Sequence, residues 1–147
     1  MALMRRLPML VAALVLVLGL AACGGGYGNS KKTEEGTTTT IGGVQVESHG
    51  TKDVSGESGK DEVEMYDYYF EPTVLKGKPG QKVTIELKNV GKAAHTFTLT
   101  EQSVDREVQP GDEAEADITF PQSGELTFIC KFHKSSGMVG ALEAGSR

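Results

Sequence analysis

The chain has 147 residues, enough for one ordinary domain with extensions, and a formal net charge of −5. It has no basic patch, which removes support for nucleic-acid binding. Its 19 glycines, five Phe, four Tyr and no Trp point to a turn-rich, β-leaning chain without long helices.

Residues 1–22 read as an export signal. Arg5 and Arg6 supply the positive start, and residues 7–22 are almost wholly apolar. That run is short for a membrane span, which takes roughly 20 residues. Leu20-Ala21-Ala22-Cys23 resembles the bacterial lipobox, which implies lipidation of Cys23 as the mature N-terminus. An ordinary cleaved signal and an uncleaved anchor are the alternatives. Loss of residues 1–22, with two arginines, takes the formal charge from −5 to −7.

Residues 23–60 are expected to be the lipidated cysteine and a disordered, flexible linker. Gly24-Gly25-Gly26, the threonine run 37–40 and scattered Ser, Lys and Glu bury no core. Such a coil spans roughly 30–40 Å. Val44-Gln45-Val46 is a weak strand signal, and His49 reads as a solvated linker histidine. The folded domain is expected over 61–147.

Within it, Val63 and Met65 alternate with Glu62 and Glu64, and an aromatic cluster over 66–70 continues that strand. Pro72 interrupts, and 73–76 resumes as an edge segment. After the Pro79-Gly80 turn, Val83, Ile85 and Leu87 face inward on the clearest strand, 82–88. Residues 89–94 form a loop that delivers His95, which heads the alternating run His95-Thr96-Phe97-Thr98-Leu99. The segment 103–108 reads equally as a helical turn or an irregular crossing. Ala114, Ala116, Ile118 and Phe120 mark a further strand. Leu126, Phe128 and Cys130 share one parity on the next, and 139–144 is the last, with Leu142 inward. Six or seven short strands with close turns predict an all-β sandwich.

The chemistry concentrates in Cys130-Lys131-Phe132-His133-Lys134-Ser135-Ser136-Gly137-Met138. A thiolate, an imidazole and a thioether lie within nine residues. Cys and Met are soft ligands that favour copper, and two His, one Cys and a weak axial Met form the blue-copper arrangement. The polar turn 134–137 can return His133 and Met138 towards Cys130. Of the remaining histidines, His49 and His95, the local sequence favours His95. Two neighbouring strands would then present His95 and Cys130 at one end of the sandwich. Each residue has a plainer reading: a satisfied strand-end histidine, a buried inert thiol, a gap-filling methionine. Zinc also takes His and Cys. A Cys23–Cys130 disulfide is the alternative use of the two cysteines.

Three segments together resemble small cupredoxins of the plastocyanin and halocyanin type. They are 70–80 with its Pro-Gly turn, Asn89-Val90-Gly91-Lys92-Ala93-Ala94-His95-Thr96-Phe97, and Cys130-x-x-His133-x4-Met138-Val139-Gly140. The resemblance implies a Greek-key sandwich, one type 1 copper ion on His95, Cys130, His133 and Met138, and an electron carrier rather than an enzyme. It also places the His133 ring edge near the surface as the electron route, flanked by Lys131, Phe132 and Lys134. The chain departs from the family in having Phe132 where proline usually precedes the ligand-loop histidine. It also has Thr96 where an asparagine usually fixes that loop by hydrogen bonding, a role expected here of the Thr96 hydroxyl. The expected protein is a monomeric domain, tethered outside the cytoplasm through Cys23, that exchanges electrons with exported redox proteins. Copper trafficking or resistance, and a copper-free structural or adhesive sandwich, are the alternatives.

Overall fold

A computed structural model describes residues 37–56 and 60–145. The signal segment 1–22, Cys23 and the linker as far as residue 36 lie outside the described residues. Twelve strands, β1 (Thr37–Ile41), β2 (Val44–Ser48), β3 (Thr51–Asp53), β4 (Lys60–Tyr66), β5 (Tyr69–Glu71), β6 (Val74–Gly77), β7 (Lys82–Asn89), β8 (His95–Leu99), β9 (Val104–Val108), β10 (Glu113–Thr119), β11 (Glu125–Ile129) and β12 (Val139–Ala144), are joined by turns and two short 3-10 segments.

The strands form a four-stranded sheet, β10-β7-β4-β5, and a six-stranded sheet, β3-β6-β12-β11-β8-β9. The chain crosses repeatedly between them, as in a Greek-key sandwich. Alternation fixes what lies between the sheets: Val63 and Met65 from β4, Ile85 and Leu87 from β7, Ala116 and Ile118 from β10, Phe97 and Leu99 from β8, and Phe128 from β11 share one core. Each apolar strand face therefore points at the other sheet, and burying it is the main force holding the layers together.

The folded region begins well before the expected boundary at Asp61. β1 and β2 form an antiparallel hairpin through Gly42-Gly43. Its Ile41 and Val46 join Val74, Val139 and Ala141 in a second apolar cluster, on the opposite face of the six-stranded sheet from the main core. The first four residues of β12 are consequently all buried, since both faces of that strand are covered. β3 adds in parallel to β6, and Val54 just after it is fully buried in the main core. A polar composition hid these contributions, because a few buried apolar residues per segment suffice to dock it. His49 also departs from the solvated reading. Its ring stacks on Tyr69 with centroids 3.5 Å apart, Tyr69 stacks in turn on Tyr66, and its backbone N–H donates to Thr73 Oγ1 at 2.7 Å.

Three further segments differ from expectation. Residues 73–76 are not an edge: β6 lies between β3 and β12, paired in parallel with both. The aromatic run 66–70 is not one continuous strand: the chain reverses at Asp67-Tyr68 and β5 pairs back on β4. The undecided segment 103–108 is an edge strand, β9, antiparallel to β8. Only its end residues Val104 and Val108 are buried, and its charged centre, Asp105-Arg106-Glu107, suits an edge that must not pair with another chain.

One ion pair carries a prediction. Asp61 is buried, and Lys52 Nζ approaches its Oδ1 at 2.9 Å. Neither carboxylate oxygen has a hydrogen bond of good geometry among the described residues, so the lysine charge is the main compensation. Breaking a buried pair from one side typically costs 3–5 kcal/mol. Lys52 is partly exposed, which favours the lower end. Lys52→Met is expected to destabilise the fold by about 3 kcal/mol, read as a lower urea midpoint with an unchanged slope.

Candidate metal centre

β8 and β11 are neighbours, joined in register at Ile129↔Thr98. His95 opens β8 and Cys130 follows β11, so adjacency brings both to one end of the sandwich. The loop after Cys130 then folds back tightly. His133 N donates to the Cys130 carbonyl at 3.2 Å, Met138 N to the His133 carbonyl at 3.2 Å, and Cys130 N to the Met138 carbonyl at 3.1 Å. Gly137, at φ 87°, takes the left-handed conformation that this reversal needs. His133 is thereby returned to Cys130, and the Met138 backbone lies beside the cysteine with its side chain buried.

Three donor atoms converge. Cys130 Sγ lies 3.4 Å from His133 Nδ1 and 3.9 Å from His95 Nδ1, and the two Nδ1 atoms are 3.2 Å apart. A point equidistant from all three lies inside the triangle at roughly 2 Å from each donor, close to metal–imidazole and metal–thiolate bond lengths in protein sites. His95 and Cys130 are fully buried, and Cys130 is a free thiol rather than half of a disulfide. Two imidazoles and a thiol converging in a buried corner fit a soft or borderline metal ion. His49, stacked on Tyr69, is not part of this cluster.

The surroundings orient the donors. Thr96 N–H points at Cys130 Sγ, 3.4 Å away. Thr96 Oγ1 accepts from Lys131 N at 2.8 Å and lies 3.1 Å from Thr98 Oγ1, which is 2.9 Å from Asp105 Oδ1. The Lys131 ammonium closes the circuit on Asp105 Oδ2 at 2.5 Å. The residue after the cysteine is therefore pinned to β8 and β9 by main chain and side chain alike. The Lys131 and Thr98 hydrogen bonds hold the Asp105 carboxyl below its ordinary range.

Asn89 shapes the loop that delivers His95. It is buried, its Nδ2 donates to the Ala93 and Val108 carbonyls at 2.9 and 2.8 Å, and its Oδ1 accepts from Gly91 N at 3.0 Å. On the far side of the His95 ring, Nε2 lies 2.9 Å from Asp67 Oδ1. Burial pushes the His95 imidazole below the usual histidine range, and the Asp67 hydrogen bond opposes it. Lys92 N–H, followed by Ala93 N–H and His95, holds the Asp67 carboxyl below its own ordinary range against partial desolvation.

His133 is half-buried, with the Tyr68 ring 4.4 Å away between centroids. Tyr68 and Phe132 are both about half exposed and flank it. Sequence reasoning missed Asp67, Tyr68, Thr98 and Asp105. The interrupted aromatic run at 66–70 was the only trace of the turn that carries the first two.

A two-sheet β sandwich with a buried His-Cys-His cluster between neighbouring strands defines a class of metal-binding sandwich. The chain belongs to the cupredoxin-like domain family, whose model matches residues 32–142. That match includes the hairpin ahead of Asp61. No curated protein matches the chain significantly in sequence. Among solved structures it is similar in fold to dithionite-reduced auracyanin from the photosynthetic bacterium Roseiflexus castenholzii. That pair has a TM-score of 0.51 and 18% identity, covering 62% of this chain and 100% of the other. It is also similar to the metal-binding domain, with Cu(I), of the Cu(I)-exporting P-type ATPase CopA of Streptococcus pneumoniae D39, with TM-score 0.52, 13% identity, and 67% and 98% coverage. A chain of a heme-copper terminal oxidase dimer matches with TM-score 0.50, 18% identity, and 59% and 65% coverage.

Proposed function

We propose that the protein is a type 1 copper protein that carries single electrons between exported redox partners. The observation that carries this reading is the convergence of His95 Nδ1, His133 Nδ1 and Cys130 Sγ, with His95 and Cys130 fully buried and His133 half-buried. Met138, buried and with its backbone carbonyl bonded to Cys130 N–H, would add a weak thioether donor to the three. Bound copper would supply the one-electron Cu(I)/Cu(II) couple.

The protein's part is to hold the donors still and keep water away. Thr96 N–H stabilises charge on the thiolate, and the Thr96–Lys131 hydrogen bond fixes the loop. A site fixed by its surroundings reorganises little when charge changes, which suits a carrier more than a catalyst. His133, between the exposed rings of Tyr68 and Phe132, is the proposed exit for the electron. The acidic chain favours basic partners with salt sensitivity. Lipidation at Cys23 would tether a monomeric domain to the outer side of a bacterial membrane.

The full chain loaded with Cu(II) is expected to show an intense visible thiolate-to-copper band and a reversible one-electron wave. A colourless Cu(II)-loaded sample would overturn the type 1 assignment. The likeness to a Cu(I) exporter's metal-binding domain supports a second reading, in which copper is cargo for trafficking or resistance. Rapid transfer of Cu(I) to an apo-acceptor, with slow electron exchange, would select that reading.

A further inference from the structure

We propose that Asp67 is a positioning residue which, through the His95 ring, strengthens that imidazole as a donor and biases the site towards Cu(II). The inference rests on the copper reading above. Three features build the contact. First, Asp67 Oδ1 faces His95 Nε2 at 2.9 Å while His95 Nδ1 faces Cys130 and His133, so one ring spans from carboxylate to metal position. Second, the carboxylate is held from behind: Lys92 N donates to Oδ2 at 2.8 Å and Ala93 N to Oδ1 at 3.2 Å. Third, the space is reserved by the absence of a side chain at Gly91. A Cβ there would stand 2.4 Å from Asp67 Oδ1 and 3.0 Å from His95 Nε2.

The chemistry follows from the acceptor. A carboxylate fixes the proton on Nε2 and leaves the Nδ1 lone pair facing the metal position. It also raises the electron density of the ring, as carboxylate–histidine–metal arrangements do. The stronger donor favours the more highly charged ion, so Cu(II) gains more than Cu(I) and the reduction potential falls.

The test compares the full chain with its Asp67→Asn and Gly91→Ala variants. The first removes the charge at nearly constant shape, and the second displaces the carboxylate without altering it. Both are expected to lose Cu(II) affinity, by 10–100-fold for Asp67→Asn, with a smaller loss for Cu(I). Each tenfold difference between the two losses raises the one-electron potential by about 59 mV. Equal losses for Cu(I) and Cu(II), or an unmoved potential in both variants, would overturn the proposal. Nitrogen-15 NMR of the metal-free wild-type chain gives a copper-independent readout. The His95 proton is expected on Nε2, and a proton on Nδ1 would sink the inference. Failure of the wild-type chain to bind copper, with that proton on Nε2, would overturn the functional reading while leaving the Asp67–His95 contact in place.

Discussion

Replacing Cys130 with serine is expected to abolish the visible band of the Cu(II)-loaded chain. It should also weaken copper binding by more than the roughly 10–100-fold that loss of an outer hydrogen-bond partner costs. The reasoning is one of ligand type. Sulfur is the only soft anionic donor in the cluster, and without it two imidazoles remain that many divalent ions can use. The fold should tolerate the change. Cys130 directly follows β11, and its sulfur makes only long contacts, accepting from Thr96 N–H at 3.4 Å and lying 3.4 and 3.9 Å from the His133 and His95 Nδ1 atoms. A serine hydroxyl is smaller and can accept from the same donor, so the metal-free chain is expected to lose only about 1 kcal/mol. Paired measurements, a chelator competition and a thermal melt without metal, separate the effects. Intense colour in the serine variant would remove Cys130 from the site, and collapse of the metal-free fold would make it a packing residue first.

The sequence made the three donors conspicuous for a physical reason. Few residue types bind soft metals, Cys130 and His133 are three apart in one loop, and the alternation of 95–99 and 126–130 put both sites on strands. Thr96 was also within reach, since it adjoins His95. Asp67 was not. Acidic residues number 20 in this chain, and nothing local tells which one turns inward. Its role depends on the β4–β5 reversal and on β4 lying beside β7, whose following loop carries Lys92 and Ala93. The hairpin at 37–48 was obscured differently. Thr37-Thr38-Thr39-Thr40 looks like low-complexity linker, yet β-branched residues flanking a Gly-Gly pair also suit a hairpin. What decided between them was an apolar face on β12 in need of cover, which lies nearly 100 positions further along the chain. β9 was ambiguous because an edge strand with a charged centre shows little alternation to read.

Phe128→Ala is expected to produce the largest loss of stability of any substitution considered, because it empties the layer on which the metal corner stands. Phe128 is fully buried, two residues before Cys130 and on the same face of β11. Its ring stacks on Phe97 with centroids 4.6 Å apart and meets Phe70 edge-on at 5.0 Å. Phe97 is two residues beyond His95 on β8, and Phe70 comes from the opposite sheet. The three rings therefore join both ligand-bearing strands to the other layer. Across the ladder Phe128 pairs with Gly140, which offers no side chain to refill the space. Truncating a buried Phe costs about 3–5 kcal/mol, and the lost aromatic contacts favour the upper half of that range. At roughly 4 °C per kcal/mol for a domain of this size, the melting temperature should fall by on the order of 15 °C. Copper should still bind, since no donor is removed, but more weakly as β8 and β11 lose their common support. Phe132→Ala provides the contrast: that ring is 51% exposed, and its loss should change stability by less than about 0.5 kcal/mol. A Phe128→Ala chain that melts within a few degrees of wild type would show that the stability of this sandwich lies elsewhere than in the aromatic layer beneath His95 and Cys130.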